Sequence, residues 1–479
     1  MKIKVLLAVQ FALILLLAAM LAGRYVSFRD TRTLVREPAV PAEATLAYTP
    51  APPPPIPAAV LGKLARVRAM MTPRVEQITE HIYQARGFAL GNVQMVVTDE
   101  GLVIIDTTES PDAAREILKR FRQITDRPVR VVVYTHGHLD HVLGTGVFLE
   151  EGTEVVSTRE LVDFVEKDFV ELREFHVRSR LNQAGLLAPA YARPLPLPAL
   201  FRGLDSLDGL VRPTVTFEGA HSFVLGGRTF ELYQTRGETP DHLMVWLPEG
   251  RVLFCGDLYY ESFPNLSSPM LEPRPVKGWA ESLERMLALE PEILVPGHTA
   301  PVMGRREVRQ RLENYRRAIL HVYEETVRHI NRGTPVEQAA AAVRLPPDLE
   351  GLDYLQEMYG RVDWSVRGIY REKTGWYDGR GTGLAPLPPA HLARELVGLA
   401  GGANNLLARA VMLQQGGEHQ LAVELCDVAI EANPGDKLAR VVKAASLDAL
   451  ALTSGNLNMF GFYHSAAALE RQAAGVSPR

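Results

Sequence analysis

The sequence is poor in cysteine and carries no surplus of positive charge. Only Cys255 and Cys426 occur among its 479 residues, and they fall in regions that read as different domains, so a disulfide framework is not expected. The formal net charge is −4. Without a basic surface that gathers phosphate groups, nucleic acid is not expected as a substrate or partner.

The composition is otherwise that of a globular protein. Hydrophobic residues make up 47% and charged residues 23% of the chain, which is enough apolar material for substantial cores. A chain of this length exceeds the size of a single typical core, so two or three packed domains are expected.

The N-terminus contains the longest apolar run. Lys2 and Lys4 precede residues 5–23, which only Gln10 interrupts. As a helix this run would be roughly 28 Å long, close to the apolar thickness of a bilayer. Residues 1–30 are therefore predicted to be a signal peptide or an uncleaved membrane anchor, and the length of the run favours the anchor. The bulk of the chain is then expected to be periplasmic or otherwise extracytoplasmic, either anchored to the membrane or secreted.

Proline is concentrated in the segment that follows. Residues 38–57 read PAVPAEATLAYTPAPPPPIP, a pattern that fixes φ repeatedly and has no periodic apolar face. This predicts a semi-rigid linker over residues 31–70.

The body of the chain begins with strands. The segments HIYQARG, GNVQMVVTDEG and LVIIDTTES are rich in β-formers and separated by turn residues, which predicts an antiparallel meander. PDAAREILKRFRQI then has the apolar spacing of a helix, and PVRVVVYTH is the next strand. The residues after this strand therefore lie in a loop at its C-terminal end.

That loop concentrates metal-binding groups. Three histidines and one aspartate occur within six residues: His136, His138, Asp140 and His141. Neutral imidazoles and carboxylates are the donors that zinc and similar divalent cations prefer, and packing four of them together without a cation would be costly. Gly137 permits the tight turn that brings alternate side chains together. The pattern predicts a metal site.

The loop resembles the signature of the metallo-β-lactamase-fold hydrolases. In that superfamily three further ligands follow, each at a strand end, and the matching segments here are GETPDHLMVW, GRVLFCGDLYY and EILVPGHTAP, with His242, Asp257 and His298. The resemblance implies an α/β protein with a four-layer αββα sandwich over residues 71–305. It also implies two Zn²⁺ per chain, one held by His136, His138 and His242, the other by Asp140, His141 and His298, with Asp257 bridging them.

Such a centre would make a protein nucleophile unnecessary. Two cations that share a water lower its pKa enough to present hydroxide at neutral pH, and they polarise the substrate as well. The resemblance implies that Asp140 orients this hydroxide, so Asp140 and Asp257 are the catalytic carboxylates that we expect.

A narrower resemblance is to the type III alkylsulfatases, which are zinc hydrolases of sulfate esters. It is carried by IYQARGFALGNVQMVVTDEGLVIIDTTES and by a series typical of the alkylsulfatase dimerisation region, for which a packing role is implied: Leu345, Pro346, Pro347, Val366, Arg367, Ile369, Tyr370, Gly375, Trp376, Tyr377, Asp378 and Gly379. The sequence thus predicts a sulfate-ester hydrolase acting on a small anionic substrate.

The chain departs from the alkylsulfatases in two places. They carry glutamates in the loops that here contain Glu238, His242 and Asp257, so this chain has the ligand set of the wider superfamily. Glu238 is left either as a metal ligand or as a carboxylate that supports one. The alkylsulfatases also add a C-terminal sterol-carrier-like domain, whereas this sequence stops at Arg479. Both departures leave open a hydrolase of another ester, lactone or β-lactam.

Residues 306–479 are predicted to be α-helical, with helix pairs at tetratricopeptide-like spacing. The family resemblance implies that this part is a dimerisation domain and that the chain is a homodimer; an intrachain cap on the catalytic domain is the alternative. A third functional class is a membrane-tethered interaction protein that uses these helices.

Residues that contact the substrate are predicted from position alone. Arg178 lies in the long insertion between the histidine loop and His242, where an arginine could meet an anionic head group. Tyr259, Asn265 and Arg274 follow Asp257 closely and are expected near the cleft.

Overall fold

The fold is taken from a computed structural model that describes Tyr48, residues 54–191 and residues 209–477. The predicted signal or anchor segment, residues 1–30, lies outside the described residues, as does most of the predicted linker.

Seven strands form the first sheet, in sequential order. The first four pair antiparallel, which is the predicted meander, and the last four pair parallel to one another. The strands are β1 (Arg74–Thr79), β2 (Ile82–Arg86), β3 (Val93–Val97), β4 (Leu102–Ile105), β5 (Val129–Val133), β6 (Glu154–Thr158) and β7 (Val215–Phe217).

Six strands form the second sheet, in the order β13-β12-β11-β10-β9-β8. Only the β11–β12 pair is parallel. The strands are β8 (Ala220–Leu225), β9 (Arg228–Gln234), β10 (Leu243–Leu247), β11 (Val252–Gly256), β12 (Ile293–Pro296) and β13 (Val302–Met303).

Helices connect the strands and make up the C-terminal part. They are α1 (Ala58–Met70), α2 (Pro111–Phe121), α3 (Leu139–Val142), α4 (Arg159–Val165), α5 (Arg173–Gln183), α6 (Val276–Ala288), α7 (Arg305–Asn331), α8 (Val336–Ala342), α9 (Pro347–Glu350), α10 (Val362–Thr374), α11 (Pro389–Leu399), α12 (Ala403–Gln415), α13 (His419–Ala432), α14 (Lys437–Thr453) and α15 (Leu457–Ala474).

The two sheets pack face to face with helices on both outer surfaces. Alternation along β4 shows why: Val103 and Ile105 join the core between the sheets, while Ile104 packs outward with Ile117 and Phe121 of α2. On the far side of the second sheet, Trp246, Leu253 and other outward side chains pack against α6 and α7. The two sheets with their flanking helices are therefore the αββα sandwich expected from the histidine-loop motif.

The helical part is continuous with the sandwich. One apolar core contains strand residues of the second sheet together with Leu345, Val366, Ile369 and Tyr370, for which the sequence implied packing. Trp376 from the same series is instead 76% exposed. The sandwich and the helices α7–α10 share this core, whereas α11–α14 build a separate one.

The predicted linker ends earlier than expected, because residues 58–70 form helix α1. Pro57 stands just before the helix, and no proline follows until Pro73, so Ala, Leu, Lys, Arg and Met are free to take helical φ and ψ.

Among the described residues, no single helix is both long and apolar enough to cross a bilayer. Helices α11 and α12 satisfy that test only as a pair, and they meet at an angle of 86°.

Candidate metal centre

The predicted ligands lie in loops that adjoin strand ends, except Asp140 and His141, which lie in the short helix α3. His136 and His138 follow β5, His242 immediately precedes β10, Asp257 follows β11 and His298 follows β12. Strands fix the roots of these loops, so side chains distant in sequence converge on one point.

Two groups of ligand atoms form there. In the first, His136 Nε2 is 2.9 Å from His138 Nδ1 and 3.9 Å from Asp257 Oδ2. In the second, which contains Asp140, His141 and His298, the Nε2 atom of His298 lies 3.3 Å from Asp140 Oδ2. Asp257 reaches both groups, because His298 Nε2 is 2.9 Å from its Oδ2 atom and His141 Nε2 is 3.5 Å from its Oδ1 atom.

The residues of these groups fit bound metal. His141 Nε2 and Asp257 Oδ1 are buried and make no hydrogen bond, although burying such atoms without a partner is costly. A cation between them would satisfy both. The donors are imidazole nitrogens and carboxylate oxygens, a set that suits zinc.

Burial and charge set the protonation of this cluster. Burial lowers the pKa of His136 well below its usual value and that of His138 to about 3, so both are neutral, the form that binds metal. Burial would also lower the pKa of His298, but Asp257 beside it raises that pKa to about 9. Although its burial opposes ionisation, His298 and His141 hold the pKa of Asp257 well below its ordinary range. A bound cation would take the place of the protons on His298 and His141.

Asp106 orients one of the predicted ligands, a role that our sequence analysis missed. Its Oδ2 atom accepts hydrogen bonds from His141 Nδ1 at 2.8 Å and from the Thr135 hydroxyl at 2.9 Å, and its Oδ1 atom accepts from the Thr135 backbone N–H at 2.8 Å. Asp106 is fully buried. The signal was available, since a lone aspartate ends the apolar strand in LVIIDTT.

Asp241 fixes the histidine loop from the opposite side. Its Oδ2 atom accepts a hydrogen bond from the backbone N–H of Gly137 at 2.7 Å. A Cβ atom on Gly137 would lie 2.7 Å from the ring of Phe164 and 3.3 Å from Asp241, so the close approach requires glycine. Burial raises the pKa of Asp241 to about 7.

His242 lies beside the centre but joins neither group. Its ring stacks on that of His136, with centroids 4.6 Å apart. Its Nε2 atom accepts a hydrogen bond from the backbone N–H of Asp257 at 3.1 Å, and its Nδ1 atom donates to the Leu243 carbonyl at 3.0 Å. Both ring nitrogens therefore face backbone groups, and the assignment of His242 as a ligand stays a prediction.

Glu238 approaches the first group from the side. Its Oε2 atom is 3.5 Å from His138 Nδ1, while its Oε1 atom accepts a hydrogen bond from the Tyr260 hydroxyl at 2.6 Å and lies 2.7 Å from Arg274 Nη1. Burial raises the pKa of Glu238, and Arg274 opposes that rise. This carboxylate thus links the histidine loop to a buried arginine.

The two groups lie on the wall of a cavity of about 900 Å³. Arg274 lines this cavity, and so does Tyr260; contact of Arg274 with a substrate stays a prediction. Tyr259 does not line it, because it is buried on the other side, where its ring packs on Tyr315.

The other two predicted contacts also lie away from the cavity wall. Arg178 is exposed on α5, one residue before Ser179, which does face the cavity. Asn265 is buried just behind the wall, where its backbone N–H donates to the Tyr260 hydroxyl at 2.7 Å. The direction of each side chain depends on the rotation of helix α5 and on the conformation of the short loop after β11. Position in the sequence alone determines neither.

Comparisons with known proteins agree with this architecture. Residues 86–298 match the metallo-beta-lactamase superfamily, and residues 335–473 match the alkyl sulfatase dimerisation family. A linear primary-alkylsulfatase from Pseudomonas sp. is 33% identical over 388 residues, which cover 77% of this chain and 72% of that protein. The chain belongs to the alkylsulfatase family. It is therefore a metallo-hydrolase with a metallo-β-lactamase fold.

More distant relatives extend the same comparison. The alkyl/aryl-sulfatase of Saccharomyces cerevisiae is 26% identical over 78% of this chain and 60% of its own length. An (R)-specific secondary-alkylsulfatase from Pseudomonas sp. is 27% identical over 79% of this chain and 60% of its own length. Among solved structures, the inverting sec-alkylsulfatase Pisa1 from Pseudomonas sp. superposes with a TM-score of 0.77 at 24% identity, covering 87% of this chain and 68% of that one. The superposition supports the fold alone.

Proposed function

We propose that this protein hydrolyses sulfate esters of small organic alcohols at a centre that holds two zinc ions. The observation that carries the proposal is the pair of ligand groups joined by Asp257 beside a cavity of about 900 Å³, in a chain of the alkylsulfatase family. Two zinc ions bound there would lower the pKa of a water, polarise the ester and neutralise its leaving oxygen.

The chain's own residues would hold and orient the reacting groups. His136, His138 and Asp257 offer ligands on one side, and Asp140, His141 and His298 offer them on the other. Asp140 is 18% exposed at its side chain, the most open carboxylate of the cluster, so it is the one placed to orient a water towards the cavity. Asp106 orients His141, and Asp241 holds the backbone of the histidine loop at Gly137.

Arg274 is the cation that we assign to the anionic sulfate head. It lines the cavity, is 5% exposed, and is held by Glu238, which in turn accepts from Tyr260. A planar guanidinium recognises an oxyanion through two parallel hydrogen bonds, and its rigid support limits the entropy lost on binding.

A hydrolase of another ester, lactone or β-lactam is the second candidate. His242 and Asp257 are the residues that the resemblance to the wider metallo-β-lactamase superfamily implies, and a metallo-beta-lactamase type 2 from Bacillus cereus is 24% identical over 42% of this chain.

Turnover by the purified chain tests both candidates together. Alkyl sulfates, aryl sulfates, a phosphodiester, a lactone and a β-lactam should be offered to the zinc-loaded protein, with the chelator-treated protein as the matched control. Sulfate release that is lost with the chelator and restored by zinc supports the proposal. Metal-dependent turnover of the lactone or β-lactam alone would replace it with the second candidate.

We also propose that the chain is a homodimer and that residues 1–30 attach it to a membrane or direct its export. The dimer is supported by the match of residues 335–473 and by apolar side chains exposed on α11 and the segment before it: Trp376, Leu384, Leu387, Leu392 and Leu399. The attachment is supported only by the apolar run of residues 5–23.

A further inference from the structure

Part of the cavity wall comes from outside the sandwich. Helix α1 contributes Val67 and Met70, and Met71 follows it at the same wall, while α15 contributes Leu457 and Phe460. Helix α1 precedes both matched families, which begin at residue 86 and residue 335. The wall therefore contains an element that neither family match includes.

Three of these side chains, Val67, Leu457 and Phe460, lie near one another. A small gap between α1 and the start of α15 is lined by Val67, Met358, Leu457 and Phe460, all of which also line the main cavity. We define the apolar wall as Val67, Met70, Met71, Met358, Leu457 and Phe460. The polar side chains of Gln183 and Asn458 line the same cavity.

The α15 side of the apolar wall is rigidly built. The backbone N–H of Leu457 donates to the Met358 carbonyl at 2.8 Å, and the Gln183 side chain on α5 donates to Asn458 Oδ1 at 2.6 Å. At Gly461 a Cβ atom would lie 1.7 Å from the Gln183 carbonyl, so α5 and α15 touch at their backbones. This side of the wall is therefore preformed and does not need a ligand to assemble it.

The α1 side is more adaptable. Of the residues in α1 only Val67 is fully buried, and methionine side chains such as Met70 and Met71 can reshape around ligands of different length. Sites for small organic ligands usually combine a few polar groups with mainly apolar walls. The cavity of about 900 Å³ has the size of such a site.

We propose that α1 and the start of α15 form a subsite for the unbranched or branched apolar chain of the substrate, and that Val67, Met70 and Met71 set the chain length that is accepted. This inference rests on the proposed function for the identity of the head group. The apolar chain lies on the apolar wall while the sulfate faces Arg274 and the ligand groups.

The test measures the dependence of binding on chain length. A series of n-alkyl sulfates is assayed for KM, and the matching n-alkyl sulfonates, which have no ester bond to hydrolyse, are titrated by calorimetry. In the wild-type chain each added methylene should tighten binding up to about fourfold, which corresponds to ~0.8 kcal/mol, until the wall is filled.

The variants are Met70→Gln and Met71→Gln, made singly, which keep side-chain length but add a polar amide. Each should flatten the dependence on chain length, whereas Met70→Leu should retain it. Leu61→Ala is the matched control, because Leu61 is 51% exposed on the same helix and does not line the cavity. Thermal unfolding confirms that the compared proteins are folded, and the two glutamine variants provide independent tests.

The outcomes separate the two proposals. If no sulfate ester is turned over but sulfonate binding still depends on chain length and loses that dependence in the glutamine variants, the proposed reaction fails and the subsite stands. If both glutamine variants keep the wild-type dependence, or the wild type shows none, the subsite is wrong whatever the reaction.

Discussion

Replacing Asp106 with asparagine should uncouple His141 from its support without changing the shape of the loop. The carboxylate accepts three hydrogen bonds, and asparagine offers one oxygen and one NH₂ group in the same space. If the amide oxygen faces His141, its NH₂ group faces the backbone N–H of Thr135, which is also a donor. Asp106 has φ of 59°, a conformation that asparagine tolerates as well as aspartate, so backbone strain does not confuse the result.

The size of the effect follows from burial and charge. Asp106 is fully buried, and a hydrogen bond to a charged group contributes about 1.5–3 kcal/mol, so the free energy of unfolding should fall by an amount in this range. A carboxylate that orients a metal-bound histidine typically changes metal affinity by about 10–100-fold when it is removed. Asp106→Asn should therefore lower the affinity for the zinc ion that His141 would bind by roughly one to two orders of magnitude.

Competition with a chromogenic chelator measures that zinc affinity, and thermal unfolding of the chelator-treated protein measures the stability change. Asp126→Asn is the matched control, since Asp126 is exposed in a loop before β5 and has no role at the centre. A variant at position 106 with wild-type zinc affinity would refute the reasoning that Asp106 holds His141 for metal.

Three further predictions follow from the same structure. The protein should contain close to two zinc equivalents per chain by elemental analysis, and a value near zero after reconstitution with zinc would exclude the metal centre. Asp257→Asn should keep much of the fold but lose most activity and one or both zinc ions, because a neutral amide cannot balance two cations; wild-type rates would show that Asp257 does not join the groups. Light scattering should give a dimer, and the double variant Leu392→Glu with Leu399→Glu should be a monomer, because both leucines are exposed on α11. The control variant Val224→Glu, at a similarly exposed residue on β8, should remain a dimer. A dimer in the α11 double variant would place the interface elsewhere.

The sequence predicts contiguous parts of the site well. His136, His138, Asp140 and His141 lie within six residues, so a single strand and one turn bring their backbones close together. The contacts that then hold this loop, from Asp241 to Gly137 and from Asp106 to His141, come from distant parts of the sequence. The meander and the helix α2 are also predicted because their signals are local: β-rich segments separated by turn residues, and apolar residues at helical spacing.

The parts that depended on side-chain direction could not be read from the sequence. Tyr259 and Tyr260 are adjacent and both rings contact Tyr315, yet only Tyr260 lines the cavity and donates to Glu238. Arg178 and Ser179 differ in the same way on α5, where one step around the helix separates solvent from the cavity. Helix α1 was assigned to the linker because prolines dominate the preceding residues and its own apolar periodicity is weak.

The arrangement around His242 and Glu238 connects the candidate metal centre to the proposed sulfate-binding cation. Glu238 already connects His138 to Arg274, so one carboxylate links a metal-binding group to the proposed sulfate-binding cation. His242 occupies the adjacent position with both ring nitrogens on backbone groups, one of them the N–H of Asp257. A change at Glu238 should therefore affect both metal and head group, whereas a change at His242 should act first through the placement of Asp257. The apolar wall lies on separate helices, so selection of the substrate's chain can vary while this charged network stays fixed.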